Sequence, residues 1–372
     1  MRALAAKHLV WPLGFACACA CAWLWVRTPR STVAGGGPRV PRWAVAWRAA
    51  LPDRPNAPCA FEGGWLVSDA SGGVTAFSAE GRVLWQTAFS NQVFEASVAV
   101  ADRVALAASR DGGVFALDCA TGKELWRREL DARFQHVPLS GRVGEEPVLW
   151  MVSQADGALF CLRLRDGQTV WQGEPSNRCD GTPALWQGRV AYGNCDGAVY
   201  LYDAATGRLC GTVVVGSDDQ MAGGLLVATD GLLWGGTRQG NLAAVNGASL
   251  SREALVKISE GEAFLTPVEA ARGLIVTGTS EGFVVFCGRI QGQVRELRRM
   301  PVDAPVEDLL AAGDTLVVLA GGSLFAWSAT GDGADRVRLA LGDEVKGLAL
   351  GPDDTVACVA DRAVVCVRKE VR

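Results

Sequence analysis

The sequence predicts an all-β protein: an eight-bladed β-propeller of four-stranded blades, with the ring closed by an N-terminal strand. First, an apolar strand that usually opens with glycine recurs eight times, about every 41 residues, which is the period of propeller blades. Second, each repeat has room for four strands. Third, the last repeat lacks its fourth strand, and a spare strand of matching pattern lies near the N-terminus. The eight copies begin at Gly72, Gly112, Gly157, Gly197, Gly240, Gly282, Gly322 and Arg362.

Residues 112–130 (GGVFALDCATGKELWRREL) show the second half of one repeat most clearly. Residues 114–117 are apolar at every position, which indicates a strand buried on both faces. Residues 118–122 combine Asp, Thr and Gly, the residue types that form tight turns. The following strand is more polar and carries one large aromatic side chain, Trp126. An apolar strand precedes each copy, and a further strand, often opened by proline, precedes that one.

The spare strand is Trp43 to Leu51, in which Trp47 and Leu51 have the spacing of Trp126 and Leu130. We expect this strand to complete the last blade, because closure of a propeller ring removes free sheet edges. Residues 42–372 are therefore predicted to form one propeller without a second domain.

The N-terminal segment, residues 1–27, contains an uncharged run from Leu9 to Val26. A helix of this length spans about 27 Å, close to the hydrocarbon core of a bilayer. Three interpretations stay open: a signal anchor, a signal peptide cleaved after one of three A-x-A motifs, or a lipoprotein acylated at Cys17. Residues 28–41 are rich in Gly and Pro and are predicted to be a tether. We expect a membrane-anchored protein with its propeller on the extracytoplasmic, periplasmic side.

Composition argues against several classes of function. The net charge of −4 provides no basic field for nucleic acid. Only two histidines are present, and His136 alone cannot form a histidine metal cluster. The adjacent carboxylates Asp218 and Asp219 are interpreted as residues of a solvated turn. Cys358 and Cys366 fall on neighbouring antiparallel strands, which permits one disulfide between them.

The pattern G…D-x-x-T-G-x-x-x-W, at Gly112, Asp118, Thr121, Gly122 and Trp126, resembles the repeat of PQQ-type eight-bladed propellers. That superfamily includes quinoprotein dehydrogenases and the BamB family of outer-membrane assembly lipoproteins, and the character of this chain is nearest to the BamB family.

The resemblance covers residues 42–372 and weakens from Gly240 onward, where the tryptophan is lost. It implies that the repeat tryptophans pack between blades. These are Trp47, Trp85, Trp126 and Trp171.

The same resemblance suggests a function without catalysis. Quinoprotein dehydrogenases carry an adjacent Cys-Cys pair that stacks on the quinone, and this sequence has none. We therefore predict no enzyme, no cofactor and no catalytic, cofactor-binding or metal-binding residue. The expected function is a monomeric, membrane-tethered scaffold for protein–protein interactions in the cell envelope, resembling BamB in outer-membrane protein assembly, with envelope proteins as partners. The alternatives are an extracytoplasmic propeller that binds or senses a ligand or polysaccharide, and a PQQ-dependent dehydrogenase-like enzyme.

Overall fold

The computed structural model describes residues 42–370 except Ser217, Ala222 and Phe264. They form eight four-stranded antiparallel sheets that are the blades of one ring, so the predicted eight-bladed propeller is confirmed. The predictions for residues 1–27 and 28–41 lie outside the described residues. No helix within the described part of the chain is long and apolar enough to cross a membrane.

The first strand, β1 (Arg42–Ala50), is the outermost strand of blade 8, and blades 1 to 4 follow it. Blade 1 contains β2 (Cys59–Phe61), β3 (Gly64–Ser68), β4 (Gly73–Ser78) and β5 (Val83–Ala88). Blade 2 contains β6 (Ala99–Ala101), β7 (Val104–Ala108), β8 (Gly113–Asp118) and β9 (Glu124–Glu129). Blade 3 contains β10 (Leu139–Val143), β11 (Glu146–Val152), β12 (Leu159–Arg163) and β13 (Thr169–Gln172). Blade 4 contains β14 (Ala184–Trp186), β15 (Arg189–Gly193), β16 (Ala198–Asp203) and β17 (Leu209–Val214).

Blades 5 to 8 complete the ring and include two short 3₁₀ turns, Ala271–Gly273 and Pro352–Asp354. Blade 5 contains β18 (Leu226–Val227), β19 (Leu233–Gly236), β20 (Asn241–Asn246) and β21 (Ser251–Lys257). Blade 6 contains β22 (Val268–Ala270), β23 (Leu274–Gly278), β24 (Phe283–Ile290) and β25 (Gln293–Pro301). Blade 7 contains β26 (Val306–Ala312), β27 (Thr315–Ala320), β28 (Ser323–Ser328) and β29 (Val337–Ala340). Blade 8 contains β30 (Val345–Leu350), β31 (Val356–Ala360), β32 (Ala363–Glu370) and β1.

The hydrophobic core is divided among the seams between neighbouring blades. The second and third strands of a blade are packed on both faces, so β3 and β4 are buried along their whole length. This explains why these strands are continuously apolar instead of alternating. The fourth, outer strand packs on one side only and alternates between exposed and half-buried residues, as β25 does.

Strand β1 closes the ring by pairing with β32, as the sequence predicted. Arg42 lies opposite Glu370, and Ala50 lies opposite Ala363. Trp43 is 5% exposed and packs into the core between blades 7 and 8. Trp47 points the other way, and its indole Nε1 donates to the carbonyl of Ala79 in blade 1 at 2.8 Å. This one strand therefore joins three blades.

The repeat tryptophans dock blades 8, 1, 2 and 3 each onto the next blade, which confirms their predicted position between blades. Trp126 of blade 2 donates from Nε1 to the carbonyl of Leu164 in blade 3 at 2.8 Å. Its ring covers Gly167, where a Cβ atom would come within 2.6 Å of the indole. Gly167 also has a φ of +67°, so glycine is favoured there on two grounds. Trp85 and Trp171 make the equivalent bonds to the carbonyls of the next blade.

In blades 4 to 7 other residues occupy the docking position. Blade 4 has Gly211 there, and the side chain of Leu250 from the next blade fills the space. Blades 5 and 7 have Ala254 and Val337. In blade 6, Arg298 replaces the tryptophan: its guanidinium lies 3.9 Å from the centre of the Phe286 ring and donates to two backbone carbonyls of blade 7. A planar cation with several N–H donors can replace both the stacking and the hydrogen bond of an indole.

The disulfide that the sequence permitted between Cys358 and Cys366 is not formed, and both are free thiols. Cys358 lies opposite Val365, whereas Cys366 lies opposite Ala357, one step along the ladder. Successive pairs point to opposite faces of a sheet. Cys358 accordingly packs in the core between blades 7 and 8, and Cys366 packs between blades 8 and 1.

A charged cleft at the mouth of the central channel

A cleft of about 370 Å³ opens on one face of the ring, between blades 3, 4 and 5. It is built from loops that connect successive blades and from the turns between the second and third strands of blades 4 and 5. Two arginines, one carboxylate, two amides and one thiol line it. They are Asn177, Arg178, Asp180, Cys195, Gln220 and Arg238.

Asp180 is the centre of a network that fixes the cleft. Its carboxylate accepts from Arg178 Nε at 2.9 Å, from Arg238 Nη2 at 3.3 Å and from Gln154 Nε2 at 2.9 Å. The second η nitrogen of Arg238 is paired with Glu262 at 3.3 Å. Burial on its own raises the pKa of Asp180, but the bonds from Gln154 and Arg178 outweigh it and hold the pKa below its usual value. The cleft therefore presents two arginines in fixed positions.

The arginines remain accessible although they are held in place. The side chains of Arg178 and Arg238 are 56% and 40% exposed, whereas that of Asp180 is only 14% exposed. Charge-assisted bonds to a buried carboxylate orient a guanidinium without hiding its remaining donors. This arrangement suits recognition of carboxylates or peptide carbonyls on another molecule.

Cys195 and His136 do not form a nucleophile and base at this site. Burial, with the adjacent Asp180 carboxylate, raises the pKa of the Cys195 thiol, which keeps it protonated at neutral pH. His136 Nε2 lies 3.2 Å from the carbonyl oxygen of Cys179, and burial lowers the pKa of its imidazole. A thiol attacks as thiolate, so the arrangement does not favour covalent catalysis.

A second cavity, of about 270 Å³, lies where the first strands of blades 3 to 7 begin around the channel. Asp308 in its wall accepts from the backbone N–H of Leu348 in blade 8 at 2.7 Å and from that of Leu309 at 2.8 Å. Burial raises the pKa of Asp308 to about 6 in spite of these two bonds. The channel wall thus contains a carboxylate that links blades 7 and 8.

The sequence singled out no residue of this cleft. Asp218 and Asp219, which it interpreted as turn residues, lie nearby: Asp219 is 7% exposed and accepts from the N–H groups of Gln220 and Gln239. Asp218 is exposed, but Asp219 is buried, so the interpretation as a solvated turn is wrong for Asp219. Among residues 42–370, the three undescribed positions aside, no group of three or more His, Cys, Asp or Glu side chains could hold a metal ion.

Comparison with known proteins relates the chain to BamB proteins, both by sequence and by fold. The sequence profile of the family described as outer membrane protein assembly factor BamB matches residues 42–252. The BamB protein of Burkholderia pseudomallei is 26% identical over 307 residues, which cover 73% of each chain. A quinohemoprotein alcohol dehydrogenase, ADH IIB of Pseudomonas putida, is 31% identical over 113 residues, 26% of this chain and 16% of that enzyme.

The fold is also that of a solved structure, the crystal structure of BamB from Moraxella catarrhalis. The superposition has a TM-score of 0.72 with 20% sequence identity and covers 88% of this chain and 100% of the Moraxella chain.

Proposed function

Because the chain belongs to the family of the outer membrane protein assembly factor BamB, we propose that it is a non-catalytic scaffold that docks a protein of the outer-membrane assembly machinery in its charged cleft. The observation that carries the proposal is the pair of arginines, Arg178 and Arg238, which Asp180 holds in place and leaves exposed. Guanidinium groups fixed in this way bind carboxylates and carbonyls with little loss of side-chain entropy.

The path of the chain supports access to the cleft. The turn between β31 and β32, the second and third strands of blade 8, lies on the same face as the cleft. Strand β32 therefore begins on the cleft face at Ala363 and ends on the opposite face at Glu370. Strand β1 is antiparallel to it, so the chain enters the propeller at Arg42 on the face opposite the cleft. We propose that residues 1–27 attach the protein to a membrane, with the propeller on the periplasmic side. A tether entering there would leave the cleft open to a partner.

Charge reversal of both cleft arginines tests this function. We expect the double variant Arg178→Glu, Arg238→Glu to recover at least tenfold less of its partner after crosslinking in membranes and purification. The physical reason is that loss of a partly buried, hydrogen-bonded charge at an interface costs about 2–5 kcal/mol. The measurement is quantitative mass spectrometry of the captured proteins.

The matched control is the paired variant Arg82→Glu, Arg295→Glu, which changes two exposed arginines outside the cleft, in blades 1 and 6. It carries the same change of charge as the cleft variant and should capture as much partner as the wild-type chain. Equal recovery by the cleft variant and the control, with both folded by circular dichroism, would contradict the proposal.

A further inference from the structure

The cavity of about 270 Å³ at the mouth of the central channel lies next to the charged cleft, and the proposed docking does not use it. Its wall on blades 4 and 5 consists of backbone. A Cβ atom at Gly181 would clash with the carbonyl oxygen of Gly223, and one at Gly224 would come within 2.5 Å of Thr266 Oγ1. The absence of side chains at these glycines leaves open a space several times larger than the roughly 30 Å³ of a water molecule.

The lining of this cavity is acidic. Asp180, Glu307 and Asp308 contribute carboxylates, and none of the described lysines or arginines lines it. Asp180 is paired with Arg178 and Arg238 of the cleft, whereas Asp308 accepts only backbone N–H groups. Asp308 is mainly ionised at neutral pH, because burial raises its pKa only to about 6. A buried charge without a counter-charge is costly, so the cavity attracts a cation.

His136 adds a hydrogen-bond acceptor that has no partner. Its Nε2 lies 3.2 Å from the carbonyl oxygen of Cys179, and a carbonyl only accepts, so Nε2 carries the proton. Burial lowers the pKa of the imidazole and keeps it neutral, which leaves a lone pair on Nδ1. Neither Nδ1 nor the hydroxyl of Thr182, which also lines the cavity, has a partner among the described residues.

We propose that this cavity binds an alkylammonium group, with Asp308 and Glu307 as the counter-charge and His136 Nδ1 as one acceptor. An ammonium group has three N–H donors and no acceptor, which matches a lining of carboxylates, a hydroxyl and an imidazole lone pair. A metal ion fits less well, since the described part of the chain has no group of three or more His, Cys, Asp or Glu side chains able to hold one. Leu265 in the wall provides an apolar contact for the alkyl chain.

Two sources can supply an alkylammonium group: a free small amine, or a lysine side chain of a protein docked in the charged cleft. The cavity and the cleft share Asp180, so a segment bound at Arg178 would pass close to the cavity. Only the second source rests on the proposed function.

NMR of the full chain with ¹⁵N-labelled histidine, in a non-ionic detergent at neutral pH, tests the site directly. The sequence has only two histidines, His8 and His136, and the variant His136→Gln assigns the two signals. The probes are n-butylammonium chloride, the uncharged n-butanol and, at matched ionic strength, NaCl. We expect only n-butylammonium to shift the Nδ1 resonance of His136, saturably and with a midpoint in about the millimolar range for so small a ligand.

The variant Asp308→Asn should bind n-butylammonium at least about tenfold more weakly, because a hydrogen bond to a charged group is lost. Glu307→Gln, at an exposed position, replaces it if loss of the bond to Leu348 prevents folding. The matched control is Glu145→Gln, an exposed turn residue on the opposite face, which should bind like the wild type. No wild-type shift, an equal shift with n-butanol, or unchanged binding in every folded variant of Glu307 and Asp308 would overturn the site.

Photocrosslinking from the cleft separates the two sources. At about ten times its dissociation constant, n-butylammonium should lower the capture of a partner from Asn177 if a lysine of that partner occupies the cavity. Capture equal to that in NaCl identifies a free amine as the ligand. The NMR result does not depend on a docked protein, so the amine site and the proposed function fail independently.

Discussion

Replacement of Trp126 by alanine is expected to lower the free energy of unfolding by about 3–5 kcal/mol, the range for loss of a large buried aromatic side chain. Trp126 is 8% exposed and packs with Leu149 and Leu162 in the core between blades 2 and 3. Its loss leaves a cavity over Gly167 and an unpaired carbonyl at Leu164. The measurement is the denaturant midpoint of the purified chain.

Leu125→Ala is the matched control for this change. Leu125 neighbours Trp126 on the same strand but is 51% exposed, so its truncation should change the stability by less than about 0.5 kcal/mol. Partner capture by Trp126→Ala, measured below its melting temperature, should equal that of the wild type. A variant of normal stability that captures no partner would show that Trp126 belongs to the binding surface.

Removal of β1 is expected to have the largest effect. A chain that starts at Pro52 loses Trp43 and Trp47, which pack against blades 7 and 1, and it exposes β32 as a long apolar edge. It also loses Arg48, whose guanidinium donates to the carbonyl of Leu341 at 2.9 Å. Exposed apolar edges pair with other chains, so we expect aggregation and no cooperative unfolding transition.

A chain that starts at Arg42 is the control, because it keeps β1 and lacks only residues 1–41. It should unfold cooperatively, and size-exclusion chromatography with thermal denaturation compares the two. If the chain starting at Pro52 were monomeric and as stable as the control, the ring would not depend on closure by β1.

The repeat pattern was enough to predict the propeller because every blade has the same order of strands and turns. Eight copies of a buried strand with a glycine turn predict eight blades. The one strand left over near the N-terminus predicts that it completes the last blade and closes the ring. The substitutes for the lost tryptophans were not predictable in this way. In blade 6 the docking position is occupied by Arg298 of the same blade, whereas in blade 4 it is filled by Leu250 of the next blade. The sequence shows only that tryptophan is absent from both positions.

The disulfide and the cleft show two further features that could not be predicted from the sequence. A one-residue difference in register moves a side chain to the other face of a sheet, and so Cys358 and Cys366 are separated by the sheet itself. The cleft joins Asp180 to Arg238, which are 58 positions apart in different blades. Neither residue belongs to the repeat, so no local pattern marks them.

Site-specific photocrosslinking tests the central claim most directly. A photoreactive amino acid is placed in the full chain either at Asn177, an exposed residue of the cleft, or at Gln291, an exposed residue in the turn between β24 and β25 of blade 6. After illumination of intact cells, the proposed function predicts that Asn177 captures a protein of the outer-membrane assembly machinery and that Gln291 does not. Capture of that protein from Gln291 but not from Asn177 would contradict docking in the cleft.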